Sequence, residues 1–373
     1  MLIKALRIKD FRQFKDRTIK CNSQILLICG SNASGKSSIL EAINLLSVGG
    51  SFRASRVEEM VKFKQELARV KGKIVAGEKA DNFDLGGLDE LVLSVILTRG
   101  EVQGKKTRRK LFSVNENRRR KSDFVGQLLV VLFRPEDLRL VEGSPSRRRN
   151  YLDNVLCLSD KNYRHSLTQY KQALRKRNKL LSMIKEGSQS PSVLKYWDMT
   201  LVKHGVILQQ KRKDFLNFIN DQVQAPLEME VDYRPSVISQ KRIESHRRAE
   251  LGAGYTLIGP QKDNLAIQLN FSEQNEVENY LDLELYGSRG QKRLGVLWLK
   301  MAEMEFLEAA TNKKPILILD DILSELDDDS RNLVLELIKK QQTIITATDE
   351  TIFDQMKSLF DDDVSFLNLE KDG

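Results

Sequence analysis

Cysteine and histidine are scarce in this chain, and their placing excludes two kinds of chemistry. Cys21, Cys29 and Cys157 lie far apart with no CxxC spacing, so neither a disulfide framework nor a zinc knuckle is indicated. His165, His204 and His246 are equally scattered and offer no metal cluster. No apolar run approaches the ~20 residues needed to span a bilayer. The opening MLIKALRIKDFRQF is charged where a secretory leader would be apolar. These absences point to the reducing cytoplasm and to no membrane partner. Internal repeats and low-complexity segments are missing too. What is present is charge: 61 Lys and Arg against 52 Asp and Glu give a net +9, which favours a polyanionic partner such as nucleic acid. With 40% apolar residues, the 373-residue chain can bury the core of one large or two medium domains.

The strongest motif is QILLICGSNASGKSS, Gln24 to Ser38. A short apolar strand, Ile25–Cys29, leads into a loop and then a helix-forming run, which is the context a P-loop G-x-x-x-x-G-K-[ST] requires. Gly30 and Gly35 let the backbone curl so that the amides of Ser31, Asn32, Ala33 and Ser34 can cradle phosphate oxygens. Lys36 would reach the β- and γ-phosphates, the Ser37 hydroxyl would ligate Mg²⁺, and Ser38 follows in the first helical turn, whose positive dipole end favours the anion. The motif predicts ATP as ligand.

Around it the chain reads in blocks. Residues 2–8 alternate like a strand. Arg53 and Arg56 flank a small-residue turn before an amphipathic helix, a place from which arginines reach a nucleotide or a DNA phosphate. From Val70 to Val131 the pattern turns to β, with a hairpin closed at Asn115–Asn117. Two basic runs flank that hairpin. Lys105, Lys106, Arg108 and Arg109 from one and Arg118, Arg119 and Arg120 from the other could neutralise several duplex phosphates. Only Phe112 and Phe124 are interleaved, which suits backbone tracking better than base stacking. Helical periodicity runs from Ser144–Pro145 to about Asp221 and breaks at Lys185–Ser192, an antiparallel pair too short for a coiled-coil rod. His246 to Leu269 reads as a turn and a strand. Tyr286–Ala310 is a loop running into a long helix.

Three further pieces belong with the P-loop. The apolar strand Ile316–Leu319 ends in Asp320–Asp321, where Asp320 takes the Walker B position beside Mg²⁺ and Asp321 the place of a water-polarising carboxylate. Ser324–Asp327, SELD, is a loop beyond it. Thr346 and Thr348 end a last buried strand, near where a γ-phosphate sensor would lie. Ser288, Arg289, Gly290 and Gln291, ahead of the long helix, form a second phosphate-binding cap. With one P-loop per chain, the economical arrangement is an ATP-dependent homodimer, head to tail, each cap closing on the other chain's ATP and Asp327 coupling the two sites.

The order P-loop, SRGQ, ILILDD, SELD, TATD resembles the ABC ATPases of the structural-maintenance-of-chromosomes (SMC) type. Within that class the chain is similar to the bacterial RecF family. LRIKDFRQF, SFRASR, FRPEDLRLVEGSPSRRRNYLD, TLIGPQKDNL and RGQKRL carry that likeness over nearly the whole length. Ala33 and Ser37 stand where that family usually has Gly and Thr, and Gln261 to Asn264 read QKDN in place of HRDD. The resemblance implies an α/β fold: an ABC-type head with an α/β lobe and an antiparallel β lobe over residues 1–140 and 235–373, plus a helical arm over 141–234. It implies slow ATP hydrolysis stimulated by DNA, dimerisation on double-stranded and gapped DNA, and partnership with RecR and RecO in loading RecA. A nuclease with a similar head would need an added acidic metal-binding domain, for which no motif follows the ATPase motifs.

Overall fold

The computed structural model describes residues 1–76, 89–270, 280–323, 326–348, 351–360 and 363–370. The chain folds as two compact units, Met1–Asp137 with Glu303–Gly373, and Leu138–Ala302.

The first unit is built on two sheets. Five parallel strands run in the order Val130–Phe133, Ile316–Asp320, Thr343–Ala347, Ile25–Cys29, Val364–Asn368. Ile25–Cys29 and Thr343–Ala347 are buried along their whole length, as expected for strands covered on both faces. Six antiparallel strands form the other sheet, in the order Phe14–Lys20, Leu2–Phe11, Leu67–Ala76, Asp89–Thr98, Lys110–Val114, Asn117–Arg119. The helix Lys36–Val48 touches both sheets. It is buried nearly all round, with only Ser37 and Val48 partly exposed, and its buried positions include the polar Lys36, Ser38, Glu41, Asn44 and Ser47. It approaches the antiparallel sheet at Gly72, where a Cβ would stand 2.7 Å from Leu46 Cδ1, so a side chain there would force the Leu46 side chain to move. The α/β and antiparallel β layers of the expected head are both present. The expected hairpin is present as well: Asn115 and Glu116 take positive φ, +48° and +66°, as a two-residue turn of matching twist requires.

The second unit holds the helix pair Lys161–Lys185 and Lys195–Gln222, interrupted by the turn that was expected. Asp160 caps the first helix by accepting from the amides of Asn162 and Tyr163. Residues 246–253, read from sequence as a turn, are helical. Ser239 accepts from Arg242 N at the start of the helix Gln240–Ala253, and Gly254 ends it at φ +83°. This helix is fastened to the arm by Arg177, which donates to Asp198 (2.7 Å), Glu250 (2.5 Å) and Thr256 (2.7 Å), all buried. A three-stranded sheet, Met229–Arg234, Asn264–Asn270, Tyr280–Asp282, lies in the same unit. Residues 235–302 thus lie in one unit with the arm, whereas the sequence division assigned them to the head; the Arg177 cluster ties in the helix Gln240–Ala253, and strand pairing with Met229–Arg234 ties in Asn264–Asn270.

Candidate nucleotide site

The carboxyl ends of the parallel strands bring the motifs together. Pairing sets Asp320 opposite Thr346 and Thr346 opposite Ile28, one residue before the strand Ile25–Cys29 runs out into the P-loop. This end of a parallel sheet is where α/β proteins bind ligands. A cavity of about 580 Å³ opens there, lined by P-loop residues and by Asp320, Asp321, Arg12, Phe52 and Arg134.

The loop conformation depends on its glycines. Gly35 has φ +112°, and a Cβ on it would stand 2.2 Å from Gln13 Nε2 and 2.6 Å from Phe14 Cζ. Ala33 is also left-handed, φ +69°, which an L side chain adopts at a cost. The Lys36 ammonium is buried and donates to the Gly30 carbonyl (2.6 Å) and the Ser31 carbonyl (3.1 Å), leaving one of its three donors for an incoming anion. Ser34 Oγ is buried without a hydrogen-bond partner among the described residues.

Asp320 Oδ1 accepts from Ser37 Oγ at 3.2 Å and from Thr346 Oγ1 at 2.9 Å. Burial pushes this carboxyl above its usual range, against the pull of the two hydroxyls and of Arg134. A half-buried carboxylate whose bonded partners are neutral hydroxyls is a ready ligand for a cation. Octahedral Mg²⁺ with ligands at 2.0–2.1 Å needs neighbouring oxygens about 3 Å apart, and the Ser37–Asp320 pair matches. Asp321 follows at φ +54°, its amide donating to Thr346 Oγ1 at 3.0 Å. That left-handed turn puts Asp321 at the cavity wall.

Thr346, rather than Thr348, supplies the hydroxyl. Thr348 lies past the strand end, is exposed and does not line the cavity. Asp327 accepts from Ser330 N at 2.9 Å and caps the helix Asp328–Ile338, while Ser324 and Glu325 fall outside the described residues. In the second unit, Ser288 Oγ accepts from Gln291 N and Gln291 Oε1 from Ser288 N, a reciprocal cap on the helix Arg289–Thr311.

Several cavity residues escaped the sequence reading. Arg12 makes a two-point ion pair with the fully buried Glu41, both contacts 2.7 Å. Ser51 also donates to Glu41 and accepts from the amides of Arg53 and Ala54, tying the SFRASR turn to the P-loop helix. Phe52 thereby lies at the cavity with the Arg134 guanidinium 4.6 Å from its ring centre. Arg53 lines the cavity and Arg56 does not. Of the basic hairpin, Arg109 is held by Glu58 at 2.5 Å. Lys105, Lys106, Arg108, Arg118, Arg119 and Arg120 are exposed.

Comparison with known proteins identifies the family. The family model for the RecF/RecN/SMC N-terminal domain matches residues 2–364. DNA replication and repair protein RecF of Thermoanaerobacter sp. (strain X514) is 35% identical over 368 residues, 93% of this chain and 94% of that protein. Its counterpart in Bacillus cytotoxicus is 31% identical over 93% of this chain and 92% of the relative. Among solved structures, the recombination mediator protein RecF-ATPrS in the RecFOR pathway superposes with a TM-score of 0.82 at 30% identity, covering 98% of this chain and 95% of that one. RecF-ATP gives 0.80 at 31% identity, over 93% and 92%.

Proposed function

Because this chain belongs to the RecF/RecN/SMC family and, within it, to the RecF proteins of DNA replication and repair, we propose that it is an ATP-timed clamp on duplex DNA beside single-strand gaps. ATP binds through the P-loop amides and Lys36. The observation that carries this reading is the cluster Ser37–Asp320–Thr346 at the strand ends beside Lys36. Mg²⁺, held by Ser37 and Asp320, would neutralise charge on the β- and γ-phosphates. Asp321 orients the attacking water. It is one methylene shorter than a Glu, so it holds that water loosely and turnover is slow. Ser288, Arg289, Gly290 and Gln291 of one chain cap the ATP of another, and Asp327 couples the two sites. The exposed cations of the hairpin track duplex phosphates. The resemblance adds RecR and RecO as partners and the loading of RecA as the joint outcome.

Sedimentation with ATP and Mg²⁺, with and without gapped duplex and beside Lys36→Arg, tests the clamp. We expect a monomer-to-dimer shift that needs ATP and that duplex strengthens. A monomer under every condition would remove Ser288 from the nucleotide site. Lys36→Ala should weaken ATP binding about 10- to 100-fold, since the charge-assisted bond from its free donor is lost; unchanged binding would sink the P-loop reading.

A further inference from the structure

The charge of the arm is unevenly distributed. The 25-residue helix Lys161–Lys185 carries Lys and Arg along its length and not one Asp or Glu. Its partner Lys195–Gln222 mixes both signs, with Asp198, Asp214 and Asp221 among its lysines. Among the first helix's cations, Arg164 donates to the Cys157 and Leu158 carbonyls, Arg177 sits in the buried ion cluster, and Lys171 reaches Asp153 at 3.0 Å with its side chain still half exposed. Arg175, Lys176, Lys179 and Lys185 are exposed and form no ion pair among the described residues. Lys171, Arg175 and Lys179 follow one another at i, i+4 and i+8, so they share a face at steps of about 6 Å. Like charges at that spacing destabilise a helix, and basic residues in its first turn oppose its dipole. Apart from Lys171, nothing in the folding of the arm calls for this row.

The loop after Gly254 extends it. Thr256 N donates to Asn178 Oδ1 at 2.9 Å and Tyr170 OH to Gln261, so the loop runs along the same helix. Within it, Gln261 and Asp263 are turned inward, whereas the Lys262 ammonium sits 5.7 Å over the half-exposed ring of Tyr255. In the QKDN segment, then, Lys262 is the residue left to face a ligand.

We propose that the Lys171–Arg175–Lys179 face and Lys262 form a second duplex-DNA contact, on the arm, tracking phosphates without reading bases. No aromatic lies among Lys171, Arg175 and Lys179, and Tyr255 under Lys262 is the one exposed aromatic of the loop, which argues for backbone contact over base stacking. The inference rests on the DNA reading above and extends it to a unit for which no DNA role was foreseen.

The test is duplex affinity of the full chain, with ATP and Mg²⁺, as a function of salt. Arg175→Gln/Lys179→Gln/Lys262→Gln should flatten the slope of log K against log salt by about 2.7, three contacts at 0.9 each. Its melting temperature should be unchanged or higher, because repulsion is relieved. Arg118→Gln/Arg119→Gln/Arg120→Gln is the hairpin control. If wild type binds duplex and the arm variant keeps the full slope, the arm contact is overturned while the DNA reading stands. If wild type does not bind duplex at all, both fall. An equal loss of binding to phosphatidylserine vesicles would make the row a general anion surface and overturn the duplex assignment.

Discussion

The buried carboxylates Asp153 and Asp263 of the second unit and the half-buried Asp320 of the first meet opposite fates. Asp153 and Asp263 are bound by the Arg212 guanidinium at 2.8 and 2.7 Å, with Tyr163 and Tyr233 donating as well. Arg212, Lys171 and Tyr163 hold Asp153 below its usual range although burial alone would raise it. Asp320 accepts from two hydroxyls and is pushed up. A closed charge balance is scaffold, and an open one waits for a cation. Backbone strain follows the same division. Every described non-glycine residue with positive φ lies in the first unit, and Arg12, Ala33 and Asp321 among them line the cavity.

The contrast can be broken from the scaffold side first. Arg212→Met should cost 3–5 kcal/mol by roughly the usual penalty for stranding a buried charge, measured by urea unfolding. A loss under about 1 kcal/mol would mean the cluster is not holding the unit together. The pH dependence carries the opposite signs of the two sites. Asp153 has a depressed native pKa, so its stabilisation is complete above the unfolded value near 3.9 and disappears as pH falls through the native one. Asp320, with a raised native pKa, loses stability as pH climbs past that same value.

Next comes Asp321→Asn, expected to slow phosphate release about 100-fold with ATP affinity unchanged; an unaltered rate would remove Asp321 from the chemistry. Asp320→Asn should leave the ligand-free protein as stable as before or slightly more so near neutral pH. Its Mg²⁺-dependent ATP affinity should fall about 10- to 100-fold. Calorimetric titration with and without Mg²⁺ separates these effects, and a fall that is the same without the metal would show that Asp320 does not hold it. The smallest change is Ala33→Gly, which should stabilise by about 1 kcal/mol by relieving a left-handed alanine. A destabilised variant would show that the methyl group contributes more than its strain.

How much of this was legible follows the range of the interactions. The P-loop and Asp320 are local patterns, strand then turn, and could be read directly. Choosing between Thr346 and Thr348 needed the register and end of a strand, which only its neighbours fix. Arg12, Phe52 and Arg134 reach the cavity from three separate segments, so no spacing betrays them. The ion clusters did leave a signal. Arg177 stands seven residues after Tyr170 and four before Leu181, and Arg212 four after Leu208 and three before Phe215, so both charges sit in apolar columns. Read as solvated helix charge, they are invisible; read by period, they mark buried pairs.

The strand that carries the P-loop has its two neighbours, Thr343–Ala347 and Val364–Asn368, near the far end of the chain. A clamp spans the same distance: the Gln342 amide brackets the N–H and C=O of Ile3, 339 residues away. During synthesis at roughly 5–20 residues per second, the early strands therefore emerge on the order of half a minute before the pieces that complete their sheet. Through that interval the P-loop strand has open edges on both sides, and a nascent chain would lean on ribosome-associated chaperones. The nucleotide site is among the last features of the molecule to exist.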